Sequence, residues 1–314
     1  MDPISHAIIG LGVGALSGQP VSAYNPVYCA AIMGAIMPDI DVATMLKGDL
    51  SFIRNHRGIT HSVGGFLFLS AIISAIIFVD FGGNFLQYFF WALLGAASHG
   101  ILDFFNSYGT KLLWPFSGKR QAGNLLMFFD PILLMLFLPV FFTWQNPQRA
   151  ALIGFSSVII YLFLRLKMRQ KVEYLLRKTF NLKPGLDRLA VMPALKGMFS
   201  WDFCIEGPRE IIVGTHNYLD QKISSSHHLD RKTSSPLIFK ALQTAPGRLF
   251  CQFTSFYHIT HWEDKGRYFV KLMDLRFKHK TGFSYWATLI FNDQLSLEEA
   301  YFNRLNNLIP MDIR

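Results

Sequence analysis

Histidine and aspartate recur at five places in this 314-residue chain, each beside an apolar run. They are Asp2 with His6, Asp39 with Asp41 in Pro38-Asp39-Ile40-Asp41, His56 with His61 in His56-Arg57-Gly58-Ile59-Thr60-His61-Ser62, His99 with Asp103, and Asp130 before Pro131. Asp2 and His6, like His99 and Asp103, are four residues apart, so on a helix each pair shares one face and can reach one ion. Neutral imidazole nitrogen with carboxylate oxygen suits zinc, whereas a larger share of carboxylate and water suits manganese or magnesium. A divalent ion held there would lower the pKa of a water and polarise a carbonyl or phosphoryl oxygen. Plainer roles compete: Asp2 and Asp130 can cap helices, Pro38 can end one, and Arg57 can anchor to lipid headgroups.

The elements that must position these residues are membrane helices. Half the chain (51%) is hydrophobic and only 16% is charged, against about a quarter in an ordinary soluble domain. The apolar runs fill the first 165 residues, with expected spans near 4–19, 26–46, 62–80, 84–105, 125–143 and 149–166. The first is short and carries Gly10, Gly12, Gly14 and Gly18, a pattern that suits close packing inside a bundle. Lysine and arginine concentrate in alternate connections: Lys47, Arg54 and Arg57; then Lys111, Lys119 and Arg120; then 165–188. By the positive-inside rule this places both termini in the cytosol, and with them every histidine and aspartate above. Ionisable groups beside a span are costly and usually face the bundle interior as a functional site.

After the spans the pattern changes. A basic juxtamembrane stretch (167–189) precedes 190–314, where short runs rich in β-branched and aromatic residues read as strands: Glu210–Val213, Arg248–Phe253, Arg267–Leu272 and Phe283–Ile290. A short helix is expected near 296–308. The fold class is therefore a polytopic α-helical membrane domain (1–166) followed by a small β-rich α+β cytosolic domain. The net charge of +9 sits largely in the basic stretch, which fits anionic lipid better than nucleic acid, and no nucleic-acid motif is present. The three cysteines, Cys29, Cys204 and Cys251, have no close spacing, so neither a disulfide framework nor a thiolate zinc site is expected.

With Tyr108-Gly109 and Trp114-Pro115-Phe116 added, the strings at 2–6, 38–41, 56–62 and 99–103 together resemble the YdjM-like family of membrane-bound, metal-dependent hydrolases, over about residues 1–165. The His56–Ser62 string is the specific part. The resemblance implies a site built from His6, Asp39, Asp41, His56, His61, His99 and Asp103, with Arg57 as an anion contact. It also implies a longer subgroup with an added cytosolic domain. Asn106 stands where family members often carry threonine.

The expected function is a multi-pass inner-membrane hydrolase. His6, His56, His61, His99 and Asp103 would hold the metal, zinc first. Asp39 or Asp41 would act as a further ligand or general base, and Arg57 would hold the substrate, a phosphate ester or other lipid-associated ester at the cytosolic membrane face. Membrane lipids are the expected partners. The alternatives are a transporter or sensor using the same site, and a membrane-tethered regulator.

Overall fold

The computed structural model describes residues 1–47, 57–117, 119–142, 145–195, 197–231, 235–276, 278–279, 282–304 and 307–311. They form two compact units, one within Met1–Thr44 and Asn55–Lys167, the other within Met45–Arg54 and Met168–Arg314.

The first unit is helical. Helix α1 (Pro3–Ala15) starts at Asp2, whose side chain accepts from the Ser5 backbone N–H, with Pro3 pre-set for the first turn. Helix α2 (Pro26–Ile36) continues into a 3₁₀ segment, Met37–Lys47, that carries Asp39 and Asp41. A short 3₁₀ turn, Ile59–His61, then leads into α3 (Val63–Phe81), capped by Ser62, whose hydroxyl accepts from Gly65 N–H at 3.1 Å. Helix α4 (Phe85–Phe105) carries His99 and Asp103 near its C-terminal end; α5 (Pro131–Phe142) and α6 (Pro147–Thr179) follow.

Among the described residues four helical stretches are long and apolar enough to cross a membrane: Pro26–Thr44, Val63–Phe81, Phe85–Phe105 and Pro147–Thr179. Two of the expected spans are shorter. With 13 and 12 residues, α1 and α5 reach roughly 18–20 Å at 1.5 Å per residue, short of a hydrocarbon core about 30 Å thick. Residues 125–130 lack helix because they run extended beside the end of α4, with Leu125 N–H and Leu126 N–H both donating to Phe105 O.

Small residues let three helices meet backbone to backbone. A Cβ on Gly34 of α2 would lie 2.0 Å from Ala92 O, and one on Gly95 of α4 would lie 2.1 Å from Ala31 O. Gly10 of α1 likewise leaves no room for a Cβ beside Ala35 and Ile32 of α2. The close α1–α2–α4 packing brings the histidine of α1, the histidine and aspartate of α4 and the aspartates after α2 to one end of the bundle.

The second unit contains the last turns of α6, whose Val172 and Leu176 are buried with Trp201, Phe203 and Ile212. Strands β1 (Arg188–Pro193), β2 (Ser200–Glu206), β3 (Glu210–Asn217) and β4 (Ile223–Asp230) form an antiparallel meander. Helices α7 (Pro236–Gln243) and α8 (Ala245–Phe253) follow, then β5 (Tyr257–Asp264), β6 (Arg267–Asp274), the short pair β7 (Lys278–His279) and β8 (Gly282–Phe283), β9 (Tyr285–Phe291), β10 (Leu297–Arg304) and β11 (Asn307–Pro310). A second antiparallel sheet takes the order β11-β10-β9-β6-β5, and Leu237, Ala241 and Phe250 of the helices share its core with Val270, Leu289 and Phe302.

Two expectations change here. Residues 248–253 are helical, because Thr244 caps α8 by accepting from Gly247 N–H at 3.1 Å and Phe250 turns inward. Residues 297–304 form a strand instead of a helix, since Ala300 and Phe302 alternate into the core of the sheet.

Candidate metal centre

The His56–Ser62 string acquires a physical reading from Arg57 onward; His56 itself lies outside the described residues. The backbone N–H of Arg57 donates to Asp41 Oδ2 at 2.7 Å, and the Thr60 hydroxyl donates to the same oxygen at 3.1 Å. Asp41 thereby ties the string to the segment after α2. His61 Nδ1 lies 3.3 Å from that oxygen, so Asp41 can take the Nδ1 proton and direct Nε2 the other way. Ser62 caps α3 immediately afterwards. In the absence of metal, burial draws the charge of His61 down. The carboxylates of Asp103, Asp39 and Asp41 together outweigh this and push its pKa up to about 10.

His99 is oriented from its other side. Its Nδ1 lies 2.7 Å from Ala35 O on α2, a carbonyl that can only accept, so the Nδ1 carries hydrogen and the Nε2 offers a lone pair. Both imidazoles thus turn Nε2 inward, and the two nitrogens stand 3.0 Å apart. Two lone pairs at that separation repel unless a proton or a cation lies between them.

The surrounding oxygens fit a cation. From His61 Nε2, Asp39 Oδ1 lies at 3.3 Å and Asp103 Oδ2 at 3.5 Å. From His99 Nε2, the same two oxygens lie at 3.7 and 3.6 Å. A tetrahedral zinc site with bonds of about 2.0–2.1 Å has edges near 3.3 Å. The donors of Asp39, His61, His99 and Asp103 all lie within 4.8 Å of one another. This buried Asp/His/His/Asp group could hold a metal ion, with Asp39, its side chain 12% exposed, on the solvent side.

The remaining candidates surround this group. His6 is fully buried, stacks on His99 with ring centroids 3.7 Å apart, and places Nε2 3.5 Å from Asp103 Oδ1. The Met1 amino group donates to that same oxygen. Arg57, also buried and with a left-handed backbone (φ 57°), sets Nε 3.1 Å from Asp103 Oδ2 as an ion pair and its guanidinium 5.4 Å over the Tyr108 ring. Among the described residues its Nη1 has no hydrogen-bond partner. Asp2 is occupied with its cap, and Asp130 accepts from the Tyr161 hydroxyl at 2.9 Å, apart from the four-donor group.

A family model described as YdjM inner membrane protein matches residues 1–172, more than half of the chain. The chain belongs to the YdjM family. The site-bearing unit of this YdjM-family protein lies wholly inside the match. A second family model, the YfhP C-terminal alpha/beta plait domain, matches residues 236–308, the part that holds α7, α8 and all of the five-stranded sheet except the end of β11. One similar protein, "Uncharacterized protein YfhP" of Bacillus subtilis (strain 168), is 28% identical, and the alignment covers 96% of this chain and 94% of that one. No solved structure matches. Family membership and the apolar helices make this a membrane protein.

Three contributors were not among the expected site residues: the Ala35 carbonyl, the Tyr108 ring and the Thr60 hydroxyl. Thr60 had a signal, its place between Arg57 and His61. A backbone carbonyl offers none, because every residue has one.

Proposed function

We propose that this protein is a membrane-bound, metal-dependent hydrolase of phosphate esters carried by lipid, working at the cytosolic face. The observation that carries the reading is the set of near-tetrahedral separations among Asp39, His61, His99 and Asp103, with two Nε2 atoms 3.0 Å apart. Two imidazoles and two carboxylates suit zinc, with manganese or magnesium as substitutes. A divalent ion in that group supplies Lewis-acid chemistry, lowering the pKa of a water and polarising a phosphoryl oxygen.

The chain's own residues do the rest. With an ion in place of the His61 proton, Asp41 and the Ala35 carbonyl would hold His61 and His99 as Nδ1–H tautomers, leaving both Nε2 atoms to ligate. Arg57 holds the anionic group of the substrate through its guanidinium, whose buried Nη1 has no hydrogen-bond partner among the described residues. Apolar, exposed Ile40 and Val42 flank the two aspartates, Ile59 precedes His61 by two residues, and Leu113, Trp114 and Phe116 stand exposed on the loop after α4. That apolar and aromatic rim supports a substrate with acyl chains at the membrane interface. The basic connections support the cytosolic placement.

The test is turnover by metal-loaded protein in mixed micelles of phosphoester and acyl-ester lipids. Phosphoester cleavage is expected, and Arg57→Ala should raise KM about tenfold or more, as for loss of one charge-assisted bond of roughly 1.5–3 kcal/mol. Cleavage of acyl esters alone, or an Arg57→Ala enzyme with unchanged KM, would overturn the assignment.

A further inference from the structure

We infer that a cleft in the second unit, between its two main sheets, binds a small amphipathic anion: a carboxylate or phosphate group carried on an apolar body. The inference shares no residue with the metal centre and does not depend on it.

The cleft has a volume of about 220 Å³. Ligand pockets commonly run to about 300–1,000 Å³, so this one suits a small metabolite and excludes a lipid or a peptide. Strand register builds one side of it, because Arg188 of β1 pairs with Glu206 of β2, and Glu206 pairs in turn with Ile211 of β3. Arg231, directly after β4, brings a second guanidinium. Ile238 and Leu242 of α7 line the cleft as well, together with the start of β5. The matched plait domain begins at residue 236, so the cationic groups come from the meander before it and much of the apolar wall comes from within it. An apolar lining with a few converging polar groups is the composition of a small-molecule site.

The charges give the ligand its sign. Arg188 already has partners: its Nη1 lies 3.5 Å from Glu206 Oε2 and 3.4 Å from Ser255 O, and its guanidinium stands 4.2 Å over the Phe256 ring. Among the described residues the Arg231 side chain makes one hydrogen bond, from Nη1 to Gly207 O at 3.0 Å, and no ion pair. A guanidinium has five N–H donors in a planar fork that matches carboxylate and phosphate, so most of this one is available to a ligand. Burial holds the pKa of His258, another lining residue, below its ordinary value, and it adds no charge at neutral pH. Two guanidiniums against one carboxylate leave the lining with an excess of positive charge. Helix α7 contributes the same sign: Ile238 lies in its first turn, and Ser235 gives that turn no side-chain cap. An anionic head on Arg231 then places the body of the ligand against Ile211, Ile238 and Leu242.

Isothermal titration calorimetry of the full chain in detergent tests the site, with phenylacetate, phenyl phosphate and the neutral 2-phenylethanol as probes. At least one of the two anions should bind at one site per chain, and which of them binds separates carboxylate from phosphate; the alcohol should not bind. Arg231→Gln should weaken binding about tenfold or more through loss of the charge-assisted bonds, and Leu242→Trp, which fills the cleft, should abolish it. Circular dichroism should be unchanged in both variants. The His99→Ala, Asp103→Ala double variant should bind as the wild type does, whatever becomes of the metal reading. Failure of both anions to bind, equal binding of the alcohol, or unchanged affinity in folded Arg231→Gln protein would overturn the site. Loss of binding in the folded double variant would overturn it too, by moving the ligand to the first unit.

Discussion

His61 is where sequence, charge and metal chemistry meet most directly. Without metal its charged form is held by three carboxylates against the cost of burial, with a pKa of about 10 against an ordinary 6.5. A pKa raised on folding contributes stability that is full below about pH 6.5 and is lost as pH climbs through about 10. Metal-free protein in detergent should therefore melt highest below pH 6.5 and progressively lower toward pH 10, and zinc, which replaces that proton, should flatten the trend. A flat profile without metal would contradict the charge arrangement. Across the same range metal affinity should rise by about tenfold per pH unit, one proton leaving for each ion bound. Asp41→Asn separates orienting from ligating: it can still accept from Arg57 N–H and Thr60 but loses the charge facing His61 Nδ1. Metal affinity measured by competition with a chelating dye should fall about 10–100-fold; an unchanged affinity would remove Asp41 from the centre. The sequence disclosed these side chains because His and Asp beside apolar runs are expensive and seldom idle. It could not divide them into ligands and orienters, since Asp39 and Asp41 differ only by two positions on a 3₁₀ segment whose path the spacing does not specify.

At the scale of elements, the centre depends on how closely α2 and α4 approach. Gly95 and His99 lie on one face of α4, and both meet α2: a Cβ on Gly95 would strike Ala31 O and Ala35 N, while His99 Nδ1 donates to Ala35 O. Gly95→Ala should therefore push the helices apart, at about 1–3 kcal/mol for overpacking, and lower metal content by breaking the His99–Ala35 bond. Gly64→Ala is the control, because its nearest neighbour would be the Ser62 hydroxyl at 3.9 Å. Thermal melts and metal content of the two variants check this; equal behaviour would contradict the packing argument. Four long apolar helices were legible because lipid demands a continuous run of apolar residues. The lengths of α1 and α5 were less so, since apolar residues also line the extended 125–130 segment. The helix at 245–253 and the strand at 297–304 were misread for a common reason. In runs of eight or nine residues a few apolar positions satisfy either period, and the cap at Thr244 and the pairing of β10 with β9 and β11 decide.

For the whole molecule, the composition shifts after Arg165, and the described residues form two compact units, one of apolar helices and one built on two main sheets. The basic stretch beyond it supplies a buried helix face as well as charge: Val172 and Leu176 sit in the core around Trp201. All the metal-centre groups belong to the first unit, so the chemistry is expected to reside there. Its most direct test is elemental analysis of detergent-purified wild-type protein beside a His99→Ala, Asp103→Ala double variant, with matching circular dichroism. Stoichiometric divalent metal in the wild type and its loss from the folded double variant is the expected result. Equally low metal in both would contradict the existence of the centre.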